Sequence, residues 1–175
     1  MRGGAQQPDT GLAAGQRGPA PSVTIASGLA AERVAAGIWA RSTALRDALP
    51  EVATAEDKLP GIQHALRGEG ATLHLASSGR HRAGFAIVVP HGEVAEIRYL
   101  ATDPSHWGGG IATALLRSVR AHALETGRRA MELWVIADNE RAIGVYERAG
   151  WTATTDVEVR NAAGRTERRY VQSPR

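Results

Sequence analysis

The residues best suited to chemistry in this chain run Thr102-Asp103-Pro104-Ser105-His106-Trp107-Gly108-Gly109-Gly110-Ile111-Ala112-Thr113. An apolar run, Ile97 to Ala101, leads into this stretch and reads as a buried strand. A helical stripe leaves it, with Ile111, Leu115, Leu116, Val119 and Ala123 on one face. Between strand and helix lie a proline-containing bend and three consecutive glycines, so no side chain covers the start of the helix. The first helical N–H groups have no partner inside the helix, and the dipole places its positive end there. Such a turn can cradle a phosphate. A glycine-rich turn with no ligand is the plainer alternative. A Walker A loop is excluded, because the single lysine, Lys58, lies far away. The dinucleotide fingerprint fails as well, since Thr113 stands where its third glycine belongs.

A second constellation follows in Leu133-Trp134-Val135-Ile136-Ala137-Asp138-Asn139-Glu140-Arg141-Ala142-Ile143-Gly144-Val145-Tyr146. Helical spacing puts Ala142, Ile143 and Tyr146 on one face, with Glu140, Arg141, Glu147 and Arg148 on the other. Tyr146 points inward, where a buried phenol wants a hydrogen-bond partner. Asp138 or Asn139 caps this helix. On the strand before the glycine turn, alternation sets Glu96 on one face with Val94, Arg98 and Leu100, and Arg98 is an obvious ion-pair partner. The six histidines show no zinc-ligand spacing. Each reads as surface or satisfied core, although His74, opposite in phase to Leu73 and Leu75, could face a cleft.

The elements that must hold these residues are readable in order. Residues 1–22, rich in Gly, Pro, Ala and Gln, are expected to be disordered, with one domain over 23–175. A short strand at Val23 precedes a helix from Gly28 to about Ala48. That helix is read with Leu29, Val34, Ile38 and Leu45 inward and Arg33, Arg41 and Arg46 outward. A second helix covers Ala55 to Leu66, with a restart at Pro60. Three strands then form a meander, Ala71–Ser77, Arg82–Val89 and Glu93–Thr102. After the glycine-turn helix come a strand Ala130–Ile136, a helix to Ala149, and strands Thr152–Arg160 and Thr166–Gln172.

Composition excludes several classes. With no cysteine there is neither a disulfide nor a thiol nucleophile, which fits a reducing cytoplasm. A net charge of +3, with arginines scattered rather than massed, and 5% aromatic content argue against nucleic acid. No apolar run approaches the ~20 residues of a membrane span, and the N-terminal stretch has no apolar core of a signal peptide.

The two blocks, in this order, resemble those of the GNAT (GCN5-related N-acetyltransferase) superfamily. Gly110 and Ala112 fall on the small positions of its pyrophosphate loop, (Gln/Arg)-x-x-Gly-x-(Gly/Ala), but Trp107 stands at the Gln/Arg position. The block from Leu133 to Trp151 resembles the family's strand, Asn-x-x-Ala-x-x-x-Tyr helix and Gly-aromatic exit. The element order β-α-α-β-β-β-α-β-α-β-β is also that of the family. The resemblance implies an α/β acyl-CoA N-acyltransferase fold, a mixed sheet of about seven strands flanked by about four helices.

It further implies acetyl-CoA as acyl donor, a primary amine as acceptor and no metal. Trp107, Gly108, Gly109, Gly110, Ile111, Ala112 and Thr113 would hold the pyrophosphate. Leu100, Ala101 and Thr102 would hold the pantetheine and oxyanion, with Asn139 touching the same arm. Tyr146 matches the tyrosine beside the coenzyme sulfur, where a phenol of pKa ~10 can protonate the leaving thiolate; a merely packed aromatic is the alternative. Glu96, 11 residues before Trp107, matches the spacing of the strand base of histone-acetylating members. Trp134 occupies the position of the glutamate of the ribosomal-protein N-terminal acetylating branch, which favours a small-molecule amine. A non-catalytic coenzyme A-binding module and a protein N-acetyltransferase are the alternatives. A homodimer whose strands complete the cleft is compatible with the pattern.

Overall fold

The expected strands pair into a single sheet in the computed structural model, which describes residues 20–161 and 163–175. The disorder expected of residues 1–22 falls outside the described residues up to 19. Ser22, assigned to that segment, already opens the first strand.

The strands are β1 (Ser22–Ala26), β2 (Thr72–Ser78), β3 (His81–His91), β4 (Val94–Thr102), β5 (Ala130–Ile136), β6 (Thr152–Val159) and β7 (Thr166–Gln172). Their order across the sheet is β1-β2-β3-β4-β5-β7-β6. Short turns make the β2-β3-β4 meander antiparallel, as expected. The β4–β5 pair is parallel and requires a crossover, which the helix after the glycines supplies. The helices are α1 (Leu29–Arg46), α2 (Ala55–Leu66), α3 (Ile111–Glu125) and α4 (Glu140–Arg148). The sheet and helix order are those of the expected α/β N-acyltransferase fold.

Two hydrophobic layers sandwich the sheet. Helices α1 and α2 pack on each other and cover β2 to β4 on one face, around Phe85, Ile87, Leu73 and Ile62. The other face carries α3 and α4, around Leu115, Val119, Met131, Leu133 and Tyr146. The whole predicted stripe of α3 is buried. Between the layers, β3 is buried continuously from Ala83 to Val89, as a central strand must be.

The inward face expected for α1 is corrected. Ile38 is buried, but Leu29 and Leu45 are 48% and 55% exposed, and the buried positions are mainly alanines: Ala35, Ala36, Ala40 and Ala44. Small side chains let α1 lie close to α2 and the sheet, while the leucines fall at its two ends. Helix α2 also differs, running unbroken through Pro60. A proline there removes one hydrogen bond of the ladder, and the capping box between Thr54 and Asp57 fixes the helix start upstream.

Gly84 sets the height of α3 over the sheet. A Cβ there would come 2.6 Å from Ile111 Cγ2 and 3.0 Å from the Ala101 carbonyl oxygen. The first turn of α3 therefore sits directly on β3, beside the end of β4.

His74 does not face a cleft. It is fully buried beneath α3, its Nδ1 2.9 Å from Ser118 Oγ and its Nε2 3.2 Å from Thr72 Oγ1. Burial, with a smaller contribution from nearby His122, pushes its pKa down to about 4. A depressed histidine stabilises the fold above its unfolded pKa near 6.5, and that stability is lost as pH falls towards 4. Urea titrations should show stability falling by up to about 3 kcal/mol between pH 6.5 and 4. His74→Gln should flatten that slope; an unchanged slope would assign it to other groups.

Candidate active site

Parallel pairing between β4 and β5 lasts only four rungs, from Val94–Ala130 to Ile97–Leu133. Beyond it β5 stays with β7, through Ile136–Glu167, while β4 stays with β3, through Thr102–Gly84. The two strands part, and the β5-facing edge of β4 from Arg98 to Thr102 has no strand beside it. Leu100, Ala101 and Thr102, where the resemblance implies backbone donors, lie along this opening.

The parting begins at a bulge. Ile87 pairs with Tyr99 but Val88 pairs with Ile97, so Arg98 is an extra residue on β4. The bulge corrects the alternation expected for this strand. Ala95 and Ile97 face the α3 layer, which leaves Glu96 on the α1/α2 side, whereas Leu100 packs against the α3 layer. Glu96 and Leu100 are on opposite faces.

At the open end, β4 runs through Asp103 and a 3₁₀ turn (Pro104–His106) into the glycines. Gly108 and Gly110 adopt φ of +80° and +77°, and a Cβ at either would meet nothing within 4 Å. Gly110 caps α3 with no side-chain hydrogen bond, whereas Thr54 caps α2 and the Asn139 side chain caps α4. The first intrahelical bond of α3 runs from the Ala114 N–H to the Gly110 carbonyl. Ile111, Ala112 and Thr113 thus present amide donors to an open space at the positive end of a 15-residue helix. This is the donor set and clearance a diphosphate needs.

The loop ahead of the glycines is held from two sides. Asp103 is buried; its Oδ1 accepts from the Ser105 N–H and hydroxyl, and its Oδ2 from Arg41 at 2.8 and 2.7 Å. Burial works against the Asp103 charge, but Ser105 and Arg41 together outweigh it and hold the carboxyl below its usual range. Arg41, read from sequence as outward, reaches across 62 residues to this clamp. Trp107 donates its indole N–H to the Thr102 carbonyl at 3.1 Å. The guanidinium of Arg141 lies over its ring, 3.5 Å from the centroid.

Tyr146 is buried in the cluster that contains Ile97 and Leu133, the last rung before the strands part. Its ring neighbours are Trp151 and Tyr170. Burial alone pushes its pKa up to about 12, so its hydroxyl keeps its proton across the usable pH range. Asn139 caps α4 by accepting from the Ala142 N–H at 3.3 Å.

Glu96 is the centre of an ion-pair cluster. Its Oε1 accepts from Arg98 Nε (3.0 Å) and Arg160 (3.2 Å), its Oε2 from Arg98 (2.7 Å) and His91 Nε2 (2.8 Å). A carboxylate offers about four lone-pair sites, and all of them are engaged. Burial, the largest influence, acts to raise its pKa; Arg98, Arg160 and His91 outweigh it and hold the group ionised below its usual range. The Arg98 partnership follows from sequence. Those with Arg160 and His91 depend on the fold, which brings the end of β3 and the residue after β6 to Glu96.

Helices α1 and α2 stop at β4, so the same face of β5, β7 and β6 lies bare as an open cleft. Glu132, Trp134, Asp156, Glu158, Arg160 and Arg169 line it. Arg169 bridges Glu132 and Asp156, and Arg160 lies over the Trp134 ring. Arg165 ties the β6–β7 hairpin to Asp47 after α1 and to Asp138 before α4. Among the described residues no group of His, Asp and Glu gathers as a metal site, and no helix is long and apolar enough to cross a membrane.

Comparison with known proteins agrees with this arrangement. An uncharacterised N-acetyltransferase of Methanocaldococcus jannaschii is 46% identical over 59 residues, covering 34% of this chain and 26% of that protein. A mycothiol acetyltransferase of Propionibacterium freudenreichii is 42% identical over 63 residues, covering 35% of this chain and 20% of that one. These matches thus span about a quarter or less of the curated relatives' lengths. The Salmonella typhimurium protein yncA, solved with its cofactor acetyl-CoA, superposes with a TM-score of 0.65 at 15% identity, covering 89% of this chain and 95% of that one. At that identity the likeness concerns the fold. The profile of the acetyltransferase (GNAT) family matches residues 39–151, more than half the chain and including both sequence blocks. The chain is a member of the GNAT family.

Proposed function

We propose that this protein transfers an acetyl group from acetyl-CoA to a primary amine of a small molecule, by direct attack within a ternary complex. The observation that carries this reading is the parting of β4 and β5 where it opens onto the uncapped glycine turn of α3. When bound, acetyl-CoA supplies an activated thioester carbonyl and a thiolate leaving group. The amides from Gly108 to Thr113 hold its diphosphate, flanked by Trp107. The free edge at Leu100, Ala101 and Thr102 pairs with the amides of the pantetheine arm and aims N–H donors at the carbonyl oxygen. Asn139, at the start of α4, flanks that arm.

Tyr146 holds a proton at its hydroxyl for the departing sulfur. A pKa near 12 keeps it protonated, so it hydrogen-bonds the sulfur as charge builds there and cannot serve as the base; the proton shed by the attacking amine passes to water in the open cleft. The cleft beside β5 fits the acceptor. At about 560 Å³ it has the size of a small-molecule site, and its three carboxylates against two arginines favour a cation. Small size and negative balance support a small amine over a polypeptide. Glu96, the base expected from sequence, has its acceptor sites filled, so its part is to hold the bulge and the Arg160 strand in place.

The donor is tested by thermal unfolding. Acetyl-CoA at ~100 times its Kd should raise Tm by about 5–10 °C, with NADP and ATP inert. No shift at millimolar acetyl-CoA would end the proposal; binding without thiol release across an amine panel would reduce the protein to a coenzyme A-binding module.

Tyr146→Phe should lower kcat by about 10²-fold or more with little change in acetyl-CoA affinity. The wild-type rate should show no descending limb near pH 10, because the phenol is protonated to about pH 12. Equal turnover of variant and wild type from pH 7 to 10 would remove Tyr146 from the chemistry.

Glu96→Gln should cost about 3 kcal/mol in urea unfolding, since it leaves Arg98 and Arg160 facing a neutral amide in a buried site. Full stability together with a lost acidic limb in the kcat/KM profile would instead return the base role to Glu96.

A further inference from the structure

The arginines near the site are largely committed to carboxylates. Arg41 pairs with Asp103, Arg98 and Arg160 with Glu96, Arg165 with Asp47 and Asp138, and Arg169 with Glu132 and Asp156. Arg141 is not so committed. It makes no ion pair or hydrogen bond among the described residues, is exposed, and has its guanidinium carbon 3.5 Å from the centre of the Trp107 ring.

The stack fixes more than a contact. Trp107 is pinned by its N–H to the Thr102 carbonyl, so the indole cannot swing away from the junction of β4 and the glycine turn. A guanidinium held over such a ring by its carbon leaves its N–H edge free for another partner. That edge suits bidentate contact with two phosphate oxygens. Arg141 is also the second residue of α4, so the contact draws the first turn of α4 against the loop that precedes α3. A cation is thus held on the ring of Trp107, in the loop that leads into the uncapped amides of Ile111 to Thr113. Trp107 occupies the position where the pyrophosphate-loop pattern carries Gln or Arg, and cannot itself make the polar contact that position supplies.

We infer that Arg141 binds the diphosphate of coenzyme A, with Trp107 as the platform that orients it, so that a stacked pair replaces the missing Gln/Arg contact. This rests on the acetyl-CoA reading above. It assigns a binding role to two residues: one read from sequence as solvent-facing, the other a departure from the motif.

Isothermal titration of the full chain with acetyl-CoA and with dephospho-CoA, which lacks the 3′-phosphate, tests it without any need for turnover. Arg141→Ala should weaken both ligands equally, by about tenfold to a hundredfold, the value of a charge-assisted hydrogen bond. It should lower the unliganded Tm by only about 1–4 °C, the value of an exposed cation–π contact, so that lost affinity is not lost fold. Trp107→Ala should weaken both ligands in the same direction, and Arg141→Lys should recover only part of the loss, since lysine keeps the charge but not the planar fork. Unchanged affinity in Arg141→Ala would overturn the inference while leaving the donor assignment standing. A loss confined to acetyl-CoA, with dephospho-CoA unaffected, would move the contact to the 3′-phosphate and overturn the diphosphate assignment. Wild-type protein that binds neither ligand would defeat the donor reading itself, and the inference with it.

Discussion

The single extra residue in β4 is the constraint on which the rest of the site depends. A parallel pair of regular strands would continue its ladder to the end of the shorter strand and leave no gap. Arg98 breaks the register with β3, turns β4, and ends its pairing with β5 after Ile97 and Leu133. A bulge that opens a sheet gives up ladder hydrogen bonds, so something must hold it. Glu96 does so by gripping Arg98 along its own strand and Arg160 and His91 from β6's end and β3. Breaking a buried ion pair from one side leaves an uncompensated charge, which makes this cluster costly to disturb even where its net contribution to stability is small.

The site combines backbone donors with a few anchoring side chains. At the open edge and the glycine turn, the groups that would meet the donor are amides, whose directions are set by β4 and α3 rather than by rotamers. Side chains then fix the frame: Asp103 receives Ser105 and Arg41, Trp107 reaches back to Thr102, and Arg165 joins α1, the hairpin and the loop before α4. Position, rather than reactive side chains, would supply most of the catalysis under the proposed reaction, as suits a substrate already activated as a thioester.

What was legible in the sequence was local. The stripe from Ile111 to Ala123, the glycines before it, the inward face of Tyr146 and the order of elements along the chain follow from spacing within short windows, and each is found in the fold. The bulge was not legible, because one inserted residue leaves the strand pattern intact on either side and only the partner strand reveals it. The face of α1 was misread because hydropathy ranks Leu29 and Leu45 above alanine, while close packing selects Ala35, Ala36 and Ala40. Arg41 and Arg141 read as surface charges since their partners, Asp103 and Trp107, lie in other segments. An arginine's role depends on what the fold sets opposite it, and no single-sequence spacing rule carries that information.

The two halves of the site are therefore set by different parts of the chain. Under the proposed reaction the donor half would belong to β4, α3 and α4, all within the matched stretch 39–151. The acceptor half would be lined mainly by β6 and β7, which lie beyond that stretch and carry Asp156, Glu158, Arg160 and Arg169. The link between the halves is narrow: Arg160 reaches Glu96 at the bulge, and Arg165 reaches Asp138 beside the Asn139 cap. Changes in the hairpin can thus alter the cleft's charge without touching the donor amides, provided those two arginines are kept. Under the proposed reaction, that separation would let one donor site serve different acceptors.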